Sequence, residues 1–80
     1  MNTHQTGDTI ATKIENRLAA KGMTRAALVR GSGIPKSTFE RHMANGGSTF
    51  TIRQVFAIAS ALGVQPPAIM PAELIEAVAA

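Results

Sequence analysis

The sequence predicts an all-α fold, a compact bundle of five short helices with a helix-turn-helix inside it. Three observations support this: apolar residues recur at helical spacing, Gly and Pro divide the chain into short segments, and no segment alternates long enough for a strand. The chain has 80 residues, enough for one small domain. We therefore expect a flexible tail over residues 1–7 and a single domain over residues 8–80.

The first predicted helix is amphipathic. Asp8 or Thr9 can act as its N-cap, and Gly22 ends it. Its apolar stripe is made by residues four apart: Ile10, Ile14 and Leu18. We expect this stripe to cover one side of the core.

Two helices separated by a turn at Gly33 are predicted in the middle of the chain. The first follows the N-cap Thr24, covers Arg25–Ser32 and is too short to be stable without packing. The next covers Pro35–Ala44, where Pro in the first turn removes no helical hydrogen bond. The residues expected to face inward here are Ile34, Phe39 and Met43.

Two more helices complete the predicted bundle. Thr51 caps a fourth helix that runs to Leu62 and is ended by Gly63. Its apolar face is wide, which suggests burial on two sides, and comprises Ile52, Val55, Phe56, Ile58, Ala59 and Leu62. The last helix, Pro71–Ala79, carries an apolar stripe of Leu74, Ile75 and Val78.

Composition argues against several classes of protein. There are no cysteines, and the two histidines, His4 and His42, lack the spacing of a metal motif. A stretch around Lys36 loosely resembles a phosphate-binding loop but lacks its glycines. We therefore expect no metal, no cofactor and no enzymatic activity. The sequence has neither a bilayer-spanning apolar run nor a secretory signal, so we expect a cytoplasmic protein without a membrane partner.

The two helices around Gly33 have the arrangement of a helix-turn-helix motif. Three polar residues are expected on the outer face of the second helix: Lys36, Ser37 and Arg41. Such a face can meet base edges in a major groove about 12 Å wide. Thr24 and Arg25, at the start of the preceding helix, can donate to a phosphate. The formal net charge of +3 is compatible with a nucleic-acid partner.

Several neighbouring residues allow two interpretations. Thr38 either packs partly against the core or contacts DNA, and Glu40 either pairs with Lys36 four residues earlier or accepts from a cytosine amine. Arg53 either faces solvent or contacts the DNA backbone. The remaining basic residues are expected on solvated helix faces: Lys13, Arg17, Lys21 and Arg30.

Two stretches have the order and spacing of a known family, GMTRAALVRGSGIPKSTFERHM and TIRQVFAIASALGV. On these stretches the chain resembles the phage Cro/repressor, or lambda-repressor-like, helix-turn-helix family from about Ile10 to Val64. The resemblance implies five helices around one core and a transcriptional regulator that binds a double-stranded DNA operator. The small size favours a Cro-like phage or prophage repressor.

The resemblance also implies roles for single residues. Arg25 would touch a phosphate, and the loop beginning at Asn45 and Gly46 would place backbone amides on phosphates. The residues implied to reach bases are Lys36 and Ser37, with Arg41 reaching a base or the opposite phosphate strand. Thr38 completes the predicted DNA-binding set, together with Thr24.

Two pairs of residues depart from the family pattern. Leu18 and Met43 stand where many relatives carry an Arg and a Glu, so an apolar contact replaces the ion pair as a unit. Ser32 and His42 stand where the family has apolar residues. We expect these two side chains to lie close and to satisfy each other.

Two hypotheses on function remain open at this point. A single helical reader buries only about 600–1,000 Å², so a repressor is expected to bind as two copies on half-sites about one helical turn apart. The fourth and the C-terminal helices are candidate homodimer surfaces, or they close the core of a monomer. The alternative is a protein-interaction module of the same fold, antitoxin-like or anti-repressor, whose partner surface is the apolar C-terminal third.

Overall fold

The computed structural model describes residues 9–70, and within that range it contains four α-helices, a 3-10 turn and no strand. The elements are α1 (Ile10–Lys21), α2 (Arg25–Ser32), α3 (Lys36–Ala44), α4 (Ile52–Leu62) and the 3-10 turn Pro66–Ile69. The prediction of an all-α fold is confirmed. The expected tail, the alternative cap Asp8 and the expected helix Pro71–Ala79 lie outside the described residues. None of the helices in residues 9–70 has the length and apolar character needed to cross a membrane.

The helix starts follow the predicted caps. At the start of α1, α2 and α4, a threonine hydroxyl accepts the backbone N–H three residues on at 3.0–3.1 Å: Thr9, Thr24 and Thr51. Gln54 accepts the Thr51 N–H in return at 2.9 Å, which completes a capping box. The start of α3 differs by one residue from the prediction. Pro35 takes an extended conformation, and α3 begins at Lys36 without a side-chain cap.

One apolar core lies between the helices. All six residues expected to face inward from α1 and around α3 are buried: Ile10, Ile14, Leu18, Ile34, Phe39 and Met43. Leu18 and Met43 therefore sit in the same apolar core, where an ion pair would need compensation. On α4 the expected burial on two sides is only partly found, because Ile52 and Phe56 are each 54% exposed. Both lie at one edge of the buried face of α4 rather than within it.

The expected pair of Ser32 and His42 is not formed. The Ser32 hydroxyl donates to a carbonyl of its own helix at 3.2 Å and accepts the Ile34 N–H at 3.3 Å. Nδ1 of His42 lies 2.5 Å from the Thr49 hydroxyl, and its ring centroid lies 5.0 Å from that of Phe50. The reason is local: the helix end satisfies the serine, while the histidine faces the loop that follows α3.

Candidate nucleic-acid interface

The outer face of α3 is polar because its inner face is fixed in the core. Phe39 and Met43 are buried one turn apart, and this phase sets which side chains point outward. Ser37 and Arg41 are exposed on the opposite side, and Lys36 is exposed at the start of the helix. Thr38 is half-buried, which fits partial packing at the edge of that face.

The Thr24 hydroxyl can donate a hydrogen bond in addition to capping α2. Its hydroxyl oxygen accepts the Ala27 N–H at 3.1 Å, and the residue is exposed. A hydroxyl that accepts through one lone pair still has its own proton to donate. Thr24 can therefore cap the helix and donate to a phosphate at the same time.

Arg25 is held between two carboxylates from different helices. Its Nε donates to Oε2 of Glu15 on α1 at 2.7 Å, and its Nη2 donates to the same oxygen. Its Nη1 donates to Oε1 of Glu40 on α3 at 2.5 Å. The hydrogen bond to Glu15 raises the pKa of Arg25, and partial burial opposes this only in part. The guanidinium thus joins α1, α2 and α3 and stays charged.

Glu40 takes this partner in place of the one that the sequence suggested. The i, i+4 spacing favoured a pair with Lys36, yet the Glu40 carboxylate is engaged by Arg25. Lys36 is left exposed at the start of α3. Its ammonium is consequently available to a ligand on the outer face of the helix.

The loop after α3 uses the amides that the family resemblance assigns to phosphates. The Asn45 N–H donates to the His42 carbonyl at 3.1 Å, and the Gly46 N–H donates to the Met43 carbonyl at 3.0 Å. Within residues 9–70, the amides of the two exposed residues that follow, Ser48 and Thr49, donate to no protein oxygen. Sequence reasoning missed these two donors, because which amides a turn leaves free depends on how the turn folds.

Two basic residues of α1, Lys13 and Arg17, lie on a different edge of that helix from Glu15. Lys13 and Arg17 line an open groove of about 320 Å³ that also includes Ala68 of the 3-10 turn. This groove contains none of the α3 residues. Its position fits the expectation of a solvated face for these two side chains.

The described part of the chain offers no cluster of three potential metal ligands among His, Cys, Asp and Glu. A family model described as Cro/C1-type HTH DNA-binding domain matches residues 13–79. The match begins inside α1 and includes all of α2, α3 and α4. No curated protein and no solved structure matches the chain.

Proposed function

The chain belongs to the Cro/C1-type HTH DNA-binding domain family, and we propose that it is a sequence-specific transcriptional regulator, a small Cro-like phage or prophage repressor. In this proposal α3 enters the major groove of a double-stranded operator. The observation that carries it is the exposed polar face of α3, which lies opposite the buried Phe39 and Met43. We propose further that residues 8–80 form one domain and that it acts in the cytoplasm.

Base reading is assigned to three side chains of α3. Lys36 and Ser37 lie in the first turn, the part of a recognition helix that comes nearest to base edges. Arg41 lies five residues after Lys36, about 7.5 Å along the helix axis. Since Arg and Lys bind the O6 and N7 atoms of guanine, we expect guanines in each half-site.

Phosphate contacts are assigned to donors that flank α3. The free hydroxyl proton of Thr24 lies at the start of α2, where the helix N-terminus also favours an anion. After α3, the amides of Ser48 and Thr49 donate to no oxygen of residues 9–70, and we assign them to phosphates as well. These contacts fix the register of the helix on the duplex and carry no sequence information by themselves.

A second copy of the chain is the proposed occupant of an apolar groove beside α4. The groove has a volume of about 510 Å³ and is lined by Ile52, Phe56, Gln65, Pro66, Pro67 and Met70. One reader domain buries too little area for tight binding, so two linked readers are expected to act together. The groove also lies beside the first turn of α4, close in sequence to the loop at Ser48.

The apolar groove also supports the alternative function, a module that binds another protein, because exposed apolar patches are typical of protein-binding sites. The double variant Lys36→Ala, Ser37→Ala separates the two functions. A regulator loses about 1–3 kcal/mol of sequence discrimination for each base contact removed. A protein-interaction module keeps its activity.

The matched control is Arg30→Ala, which also removes one positive charge but lies at the exposed end of α2. Operator and scrambled duplexes are titrated at one fixed salt concentration, since phosphate contacts make affinity depend steeply on salt. We expect Arg30→Ala to retain the ratio of the two affinities and the double variant to lose it. A folded double variant with an unchanged ratio would contradict the proposal.

A further inference from the structure

We propose that Glu15 limits the affinity of the protein for DNA without touching it, by holding Arg25 away from the phosphate at the start of α2. Glu15 is then a positioning residue that acts through Arg25. The proposal rests on the proposed function and refines one part of it. The family resemblance assigns Arg25 to a phosphate, whereas the structure assigns its guanidinium to two carboxylates.

The geometry makes Glu15 the stronger of the two partners. Arg25 directs two donors, Nε and Nη2, at Glu15 and one donor, Nη1, at Glu40. A guanidinium fork that meets one carboxylate through two donors is held more firmly than through one. Both carboxylates therefore restrain the guanidinium, and Glu15 restrains it more than Glu40 does.

The charges in this cluster oppose the approach of a phosphate. One guanidinium and two carboxylates give a net charge of −1, and the side chains of Arg25, Glu15 and Glu40 are 41%, 43% and 39% exposed. A phosphate that approaches Arg25 meets both carboxylates as well. The negative charges of the phosphate and the carboxylates repel each other, even where the side chains are partly solvated.

Other positive charges on the proposed interface lack this restraint. Lys36 and Arg41 are exposed on α3, and neither has a carboxylate partner within residues 9–70. Their charges are fully available to DNA, while that of Arg25 is compensated within the protein. The affinity of the free protein for DNA is consequently lower than its count of positive charges suggests.

The test is the salt dependence of DNA binding by Glu15→Gln. Releasing Arg25 should add one phosphate contact, which steepens the slope of log K against log salt by about 0.9. The charge-matched control is Glu76→Gln, which removes one negative charge beyond residue 70. We expect this control to leave the slope unchanged.

A double-variant cycle identifies Arg25 as the residue through which Glu15 acts. On an Arg25→Gln background, Glu15→Gln should no longer change the slope. The inference would be overturned if Glu15→Gln still changed the slope on the Arg25→Gln background. It would also be overturned if Glu15→Gln and Glu76→Gln changed the wild-type slope equally. If the wild-type protein shows no binding to duplex DNA, the proposed function itself fails. If the wild type binds but Glu15→Gln leaves the slope unchanged, only this inference fails.

Glu40→Gln is the second variant, and it keeps the test decisive if Glu15→Gln does not fold. It weakens the single bond from Nη1 and leaves both bonds to Glu15 intact. We expect it to steepen the slope by less than Glu15→Gln, and by more than Glu76→Gln. Folding of every variant is monitored by circular dichroism at each salt concentration, so that a slope is taken only from folded protein. A Glu40→Gln slope identical to that of the wild type would overturn the inference.

Discussion

Gly47 lies so close to Ile10 that a β-carbon at position 47 would come within 2.9 Å of the Ile10 β-carbon. Gly47 is buried, with a φ of +80°. Beside it, the Ala11 N–H donates to the Gly46 carbonyl at 3.0 Å. The loop after α3 is therefore packed directly on the first turn of α1, and α1 holds in place the loop that flanks the proposed DNA-reading helix.

This packing predicts that two adjacent glycines differ in their tolerance to alanine. Gly46 has a φ of +74°, but a β-carbon there would meet only the Thr9 side chain, at 3.8 Å. Gly46→Ala should cost about 1–2 kcal/mol of folding free energy from the left-handed backbone alone. Gly47→Ala should cost about 1–3 kcal/mol more, because the new atom overlaps α1. Urea denaturation measures both, and equal losses would show that the loop does not press on α1.

His42 is expected to stabilise the fold rather than bind DNA. His42→Leu retains packing against Phe50 and loses the bond to the exposed Thr49, so it should cost at most about 0.5–1.5 kcal/mol. His42→Ala loses the packing against Phe50 as well, at about 0.8 kcal/mol for each methylene-sized group that is no longer buried. Thermal melts and operator titrations together decide the role. Weaker DNA binding by His42→Leu at unchanged stability would place His42 on the DNA face.

The apolar groove predicts self-association that depends on Phe56. Phe56 is 54% exposed beside Ile52, and pairing of two copies would remove both from water. In analytical ultracentrifugation the 8.4 kDa chain should shift toward a species of twice that mass as its concentration rises. Phe56→Gln should remain at the monomer mass, while the charge variant Arg53→Gln should associate like the wild type. A wild-type protein that stays at 8.4 kDa at all concentrations rules out the dimer and leaves residues 71–80 as the occupant to test.

The cluster around Arg25 predicts a stability contribution that does not change between neutral and moderately alkaline pH. The Glu15 hydrogen bond raises the pKa of Arg25 in the folded state. A raised folded-state pKa gives stability that is fully present below the unfolded-state value, and that is lost only as pH rises through the folded-state value. For arginine, this loss lies above any ordinary working pH.

Arg25→Gln should therefore cost the same at pH 7 and pH 10, about 0–1 kcal/mol for each half-exposed ion pair. The cost should shrink at high salt, because these charges are partly screened. Chemical denaturation at the two pH values measures it. A cost that disappears by pH 10 would contradict the assignment of these ion pairs to an always-charged guanidinium.

Sequence reasoning located the elements that depend on local chemistry. Apolar spacing predicts the buried faces of α1 and α3, and the position before a helix predicts the caps Thr24 and Thr51, with Thr9 as one of two candidates for α1. These features need only a few neighbouring residues, so a single sequence contains them. The exposed outer face of α3 follows in the same way, once Phe39 and Met43 are buried.

The features that sequence reasoning missed depend on how distant segments meet. Glu40 has a nearby candidate partner in Lys36, but the fold brings Arg25 to it from fifteen residues away. His42 bonds to Thr49 rather than to Ser32 because the loop after α3 folds back over the helix end. Spacing along one helix does not show which of several candidates becomes the hydrogen-bond partner, since tertiary packing decides which side chain lies within reach.

The most direct test of sequence-specific DNA binding is selection of duplexes from a random pool at one fixed, physiological salt concentration. We expect an enriched inverted repeat whose half-sites are about one helical turn apart. Within each half-site we expect guanines opposite Lys36 and Arg41. No enriched sequence, with only weak binding that salt abolishes, would contradict the claim that α3 reads DNA.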